Sequence, residues 1–128
     1  MYMLDTNSCI DFLLGRSERL AKNMAEAFGN LTVSMITVAE LRVGSRTSSD
    51  PKGDDRRLDA FLAALTVTPF GEQEAATYGR IVRNIGVKRK SFDRLIGAHA
   101  LSLDLILVTR NKQDFADFPG LKIENWTV

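Results

Sequence analysis

Five side chains stand where a chain of this pattern does its chemistry: Asp5, Glu40, Asp93, Asn111 and Asp114. Four of them are carboxylates. Carboxylates gathered in one place repel one another unless a cation lies between them. The chain has a single cysteine, Cys9, and a single histidine, His99. That excludes a Cys/His zinc site, which usually takes four such ligands, so any metal must be held mainly by oxygen. Hard divalent ions accept this arrangement, commonly with one or two carboxylates plus water and substrate phosphate. Such an ion can activate water and neutralise charge on a phosphodiester during in-line displacement. A carboxylate set without Cys or His therefore suits magnesium or manganese and phosphoryl chemistry. Asp5, Glu40, Asp93 and Asp114 are the candidate metal ligands, with Asn111 as a further candidate for the catalytic set.

Each residue also has a local reading. Asp5 suits a helix N-cap, because its carboxylate can accept from orphan amides. Thr37-x-x-Glu40 matches a capping box. Asp93 follows Ser91 by two positions and suits the positive end of a helix. Asp114 can cap a short turn before Phe115. The hydroxyls of Thr6 and Thr109 can orient a neighbouring carboxylate or metal-bound water, or make a local turn bond. His99 lies six residues past Asp93 and so points away from it on a helix. It reads as a packed structural histidine rather than a base. Cys9 reads as a small core residue, and Trp126 as core or interface packing.

The elements that must position these residues follow from apolar spacing. Strands are expected at 2–4, 31–35, 67–70, 105–109 and 121–126, and helices at 8–14, 17–28, from Thr37 onward, around Leu58 to Leu65, at 72–85 and at 92–103. Gly15 and Gly29 mark the ends of the first two helices. The polar stretch 45–53, which contains Pro51, reads as a loop, and Val87-Lys88-Arg89-Lys90 as a basic loop. Strands alternating with helices predict one α/β domain over residues 1–128, with a mainly parallel sheet of about five strands flanked by helices. In open parallel sheets ligands bind beyond the carboxyl ends of the strands. Asp5 follows the first strand, Glu40 lies one turn into the helix after the second, and Thr109-Arg110-Asn111 follows the fourth. Asp93 opens the helix that leads into that fourth strand.

A chain of 128 residues fits one domain. With 45% hydrophobic and 26% charged residues it belongs with globular rather than disordered chains. Its apolar runs are too short to span a bilayer, and no secretory leader opens it. One cysteine allows no internal disulfide and fits a reducing cytoplasm. The net charge of +1 says little by itself. Of 16 acidic residues, the four assigned to the site leave 12 against 17 basic ones, so the remaining surface is positive. Lys88-Arg89-Lys90, with Arg83 and Arg94 nearby, can hold phosphates or be a solvated loop. There is no aromatic platform for stacking single-stranded RNA.

Motifs spread over the whole chain resemble, in order, those of PIN-domain toxins of the VapC type. They are Tyr2-Met3-Leu4-Asp5-Thr6-Asn7; Ser34-Met35-Ile36-Thr37-Val38-Ala39-Glu40-Leu41; Phe92-Asp93-Arg94-Leu95-Ile96-Gly97-Ala98-His99-Ala100-Leu101; and Leu107-Val108-Thr109-Arg110-Asn111 with Asp114-Phe115. Pro119-Gly120-Leu121 through Glu124-Asn125-Trp126 resembles the family's closing strand. The resemblance implies the PIN fold, Mg²⁺ or Mn²⁺ dependence and endonucleolytic cleavage of RNA. It also implies a homodimer and an antitoxin of the VapB kind. Asp5, Glu40 and Asp93 match the family's acidic positions. Many PIN domains carry aspartate where Asn111 sits, although asparagine is common among VapC-like members. Asp114 then either supplies the missing charge from the next turn or is structural. The segment before Asp93 departs from the commoner version with glycine and proline. Two other readings stay open at this stage: a PIN-like scaffold without catalysis, and a DNA nuclease or phosphatase using the same metal logic.

Overall fold

A computed structural model describes residues 1–44, 47–85 and 91–128. Five strands form one sheet: β1 (Tyr2–Leu4), β2 (Leu31–Ser34), β3 (Thr66–Thr68), β4 (Ile106–Val108) and β5 (Ile123–Glu124), in the order β3-β2-β1-β4-β5. All four pairings between the described strands are parallel, with Leu4 opposite Val33 on one side and Val108 on the other. Short, apolar and β-branched strands are what a sheet covered on both faces requires. β1 lies at its centre, and its side chains alternate between two cores. Leu4 packs with Cys9, Leu20, Val33 and Trp126 on one face, and Met3 with Ile81, Ile96, Leu107 and Phe115 on the other.

Among the described residues, six α-helices cover the sheet: α1 (Thr6–Leu13), α2 (Glu18–Glu26), α3 (Met35–Val43), α4 (Pro51–Ala63), α5 (Glu72–Ile85) and α6 (Phe92–Ser102). A 3-10 turn, Lys112–Phe115, follows β4. The α/β order and parallel sheet agree with the periodicity, and α5 matches its expected bounds. Cys9 and Trp126 are core residues as expected, and Trp126 lies edge-on to Tyr2 with ring centroids 4.9 Å apart.

Several starts differ from expectation, α1 among them, which begins at Thr6 rather than Ser8, and two of the differences have a visible cause. α3 begins at Met35, not Thr37, because Ser34 is the cap and its hydroxyl accepts from the Ile36 amide at 3.1 Å. Thr37 is thereby turned into the core, and the capping box does not form. The second difference lies in the stretch read as a loop. α4 starts inside it, because Asp50 accepts from the Gly53 amide at 3.1 Å and Pro51 supplies a first-turn residue with φ already helical. The basic run 87–90 lies outside the described residues.

Candidate active site

The exit of β1 is built first. Asp5 ends the central strand, and its amide donates to the Val108 carbonyl at 3.0 Å. Its carboxyl then caps α1, accepting from the Ser8 amide at 2.8 Å. The local reading of Asp5 is therefore realised, and it is compatible with a role in chemistry. Burial pushes the Asp5 carboxyl above the usual carboxylate range, while hydrogen bonds from Thr109 and Ser8 and the charge of Arg110 pull it back. A buried acid under this tension gains from any cation that reaches it.

Glu40 is brought to the same strand edge by α3. Its Oε1 accepts from Thr6 Oγ1 at 2.6 Å, and Thr6 Oγ1 also lies 3.2 Å from the buried Thr37 hydroxyl. Thr6 directly follows Asp5, so one backbone step links the two acids. The other face of Glu40 borders a groove of about 300 Å³ between α1, α3 and α4, floored by Ile10, Leu13, Leu41 and Leu58.

The β4 exit supplies the third part. Thr109 is fully buried, and its hydroxyl bonds to Asp5 while accepting from the Asn111 amide at 3.0 Å. Asn111 thus sits one residue pair from Asp5, at the start of the 3-10 turn, where its side chain makes no capping bond. Asp93 and Asp114 come together across a pocket of about 410 Å³ that Ser91, Gln113 and Asp117 also line. Asp93 lies in the first turn of α6, and Ser91, its N-cap, makes no side-chain capping bond. Asp114 lies within the 3-10 turn rather than capping one. Among the described residues, no three Asp, Glu, His or Cys side chains stand close enough together to hold a metal ion. The donors are oxygens, which fits the open, water-rich coordination of a hard divalent ion rather than an all-protein cage.

Several residues around this site were not anticipated from the sequence. Asp11, buried on α1, pairs with Arg110 Nε at 2.9 Å and with Arg16 at 3.4 Å. Neither spacing carries a motif, so no sequence signal marked Asp11 as buried. Arg94, expected near substrate phosphate, is instead committed to Asp117 at 2.8 Å, 5.2 Å from the Phe118 ring centroid, with its side chain 12% exposed. The expectation for His99 holds. It is fully buried, edge-on to Phe70 at 5.3 Å, with Nδ1 2.7 Å from Ser34 Oγ and Nε2 4.0 Å from Glu74 Oε1.

Comparison with known proteins adds three findings. The family model described as PIN domain matches residues 2–121. Ribonuclease VapC2 of Haemophilus influenzae is 35% identical, covering 98% of this chain and 97% of its own, and tRNA(fMet)-specific endonuclease VapC of Salmonella typhimurium is 30% identical with the same coverage. The crystal structure of DNA-bound VapBC from Salmonella typhimurium contains a chain that superposes with a TM-score of 0.89 at 30% identity, covering 98% of this chain and 97% of that one.

Proposed function

This chain belongs to the PIN-domain family, and on that premise we propose that it is the toxin of a toxin–antitoxin pair, a metal-dependent endoribonuclease neutralised by a VapB-type antitoxin. The observation that carries the reading is the buried Asp5 carboxyl, capped by α1 and hydrogen-bonded by Thr109 at the exit of the central parallel strand. An acid is placed there for a positive ligand, since a helix cap alone needs no burial of charge.

Mg²⁺ or Mn²⁺ would be held by one or two carboxylates drawn from Asp5, Glu40 and Asp93, with water filling the remaining positions. When bound, the ion supplies charge neutralisation to the phosphodiester and acidifies water. The protein's own residues do the rest. Thr6 fixes the Glu40 carboxylate, and Thr109 fixes the Asp5 carboxylate. Asn111 offers a neutral amide where charge is not needed, and Asp114 faces Asp93 across the pocket. The names of its relatives make transfer RNA the first substrate class to test.

The partners follow the same premise. Phe28, Val43 and Phe92 are large apolar side chains left exposed, each a candidate contact for an antitoxin or a second copy. A homodimer bound by antitoxin is the assembly we infer. Among the described residues no helix is long and apolar enough to cross a membrane, and the cytoplasm, where RNA is available, is the proposed site of action.

The deciding experiment is cleavage of transfer RNA, single-stranded DNA and a small phosphate ester, each with Mn²⁺ and with chelator. Metal-dependent cleavage of RNA alone is the expected result. Cleavage of DNA or the ester instead would move the assignment to a DNA nuclease or phosphatase. Inertness toward all three would leave a scaffold.

A further inference from the structure

β4 ends at Val108, and the chain then turns over the start of α1. Four contacts fasten the turn there. The Val108 carbonyl accepts from the Asp5 amide at 3.0 Å and from Ser8 Oγ at 3.2 Å. Thr109 bonds to the Asp5 carboxyl. The last contact is ionic, from Arg110 Nε to Asp11 Oδ2 at 2.9 Å. The Asp11 side chain is 7% exposed, and that of Arg110 is 44% exposed.

We infer that Arg110 is a positioning residue of the cleavage site: its pairing with Asp11 fixes the 109–111 turn, and with it the Thr109 hydroxyl and Asn111, against Asp5. The inference rests on the nuclease reading above. An exposed ion pair is worth little, but here the acid is buried. A buried carboxylate must keep a partner, so Asp11 does not release Arg110 as a surface acid would. Arg16 reaches the other Asp11 oxygen at 3.4 Å, which holds the carboxylate from a second direction. The anchors Asp5 and Asp11 are six residues apart, about 9 Å along the helix axis at 1.5 Å per residue. Anchors that far apart set both the place and the direction of the turn, whereas the Thr109 contact alone would let it pivot. The Asp11 contact is made through Nε of Arg110, as an ion pair. A displacement of about 1 Å in a catalytic group can cost about 100-fold in rate, which makes such a clamp worth having.

The test uses the full chain carrying Arg110→Gln, Arg110→Lys, Asp11→Asn or the Asp11→Asn/Arg110→Gln pair. Four quantities are measured: kcat and KM for RNA cleavage with Mn²⁺, Mn²⁺ affinity by calorimetry in the absence of RNA, and thermal midpoint. Arg110→Gln and Asp11→Asn should each lower kcat by about 10- to 100-fold with KM nearly unchanged. Both should weaken Mn²⁺ binding severalfold, because Thr109 no longer steadies Asp5. The double variant should be no worse than the poorer single one, since the two residues act as one unit. Arg110→Lys, which keeps the charge, should recover part of kcat. A rise in KM at constant kcat would overturn the inference in favour of a phosphate contact. Lower thermal midpoints with wild-type kcat and Mn²⁺ affinity would reduce the pair to a stabilising one. A wild-type chain that cleaves no RNA would sink the nuclease reading instead. The Mn²⁺ titrations would still judge the clamp, with equal affinities overturning it.

Discussion

Thr6 and Glu40 stand 34 positions apart in the chain, and their side chains meet with Oγ1 and Oε1 2.6 Å apart. The contact joins the first residue of α1 to the second turn of α3. The acid of the second motif therefore hangs on the residue next to Asp5. Thr6→Val removes the donor at nearly constant shape. A hydrogen bond to a charged group is worth about 1.5–3 kcal/mol, so cleavage should fall by about 10- to 100-fold while the fold persists. Unchanged kcat in this variant would show that Glu40 needs no such support.

That contact also marks what the sequence did and did not disclose. Alternating strands and helices were legible because periodicity is local, and Asp5, Glu40 and Asp93 were legible as residues at strand exits and helix starts. The partner of Glu40 was not. Thr37, three residues away, looked like its capping partner, whereas the helix begins earlier at Ser34 and Glu40 turns to Thr6. Asp11 and Arg110 were illegible for the same reason, since they stand 99 positions apart and no spacing rule connects them. The start of α4 shows a different failure. Asp50 and Pro51 are good start signals, but Gly53 and the surrounding polar residues outweighed them.

Asp5→Asn and Asp93→Asn should abolish Mn²⁺-dependent cleavage without unfolding the protein. Shape is kept and a ligand charge is lost. In metal-free protein the two effects on Asp5 separate. Burial raises the pKa of Asp5, so its neutral form is favoured in the fold, and the stability this carries is present at low pH and lost as pH rises through the folded value. Asparagine caps α1 about as well as aspartate. At pH 7, therefore, Asp5→Asn should raise the thermal midpoint by a few degrees, and the gain should vanish as pH falls toward about 4. A lower midpoint at neutral pH would show that the carboxylate is fully compensated by Thr109 and Ser8.

His99 gives the opposite sign. Burial pushes its pKa down, while the charge of Glu74 and the Pro69 carbonyl act the other way. Ser34 already accepts from the Ile36 amide, which leaves its own proton for His99 Nδ1 and a neutral ring. A depressed histidine contributes stability above its unfolded pKa of about 6.5 that is lost as pH falls through the folded value. Urea midpoints should therefore decline from pH 7 to pH 5, with α3 loosened at its cap. His99→Asn should lower stability overall and flatten that slope. A slope equal to wild type would assign the acid sensitivity elsewhere.

Expression of the chain without an antitoxin should arrest growth of a bacterial host, and expression of the Asp5→Asn variant should not. The expectation rests on membership of the family and on the VapC relatives. Growth curves and RNA integrity, at matched protein levels, make the comparison. Equal tolerance of the two proteins would favour a scaffold.

The antitoxin should inhibit by bringing a cation to the acidic pocket. Asp93, Asp114 and Asp117 line a space of about 410 Å³, roomy enough for a guanidinium. The acidic lining that includes Asp93 and Asp114 is the target of an incoming arginine. A bidentate contact there would compete with metal and substrate together. The remainder of a disordered tail would gain its affinity in the apolar groove that ends at Glu40, ordering as it binds. The two parts of the tail then do separable jobs. Replacing its inserted arginine with alanine should restore cleavage at saturating antitoxin while affinity falls only modestly, because Ile10, Leu13, Leu41 and Leu58 still hold the rest. Affinity by titration and cleavage at saturation are measured on the same complex. Full inhibition by the alanine variant at saturation would rule out the plug and leave steric cover of the RNA path as the cause.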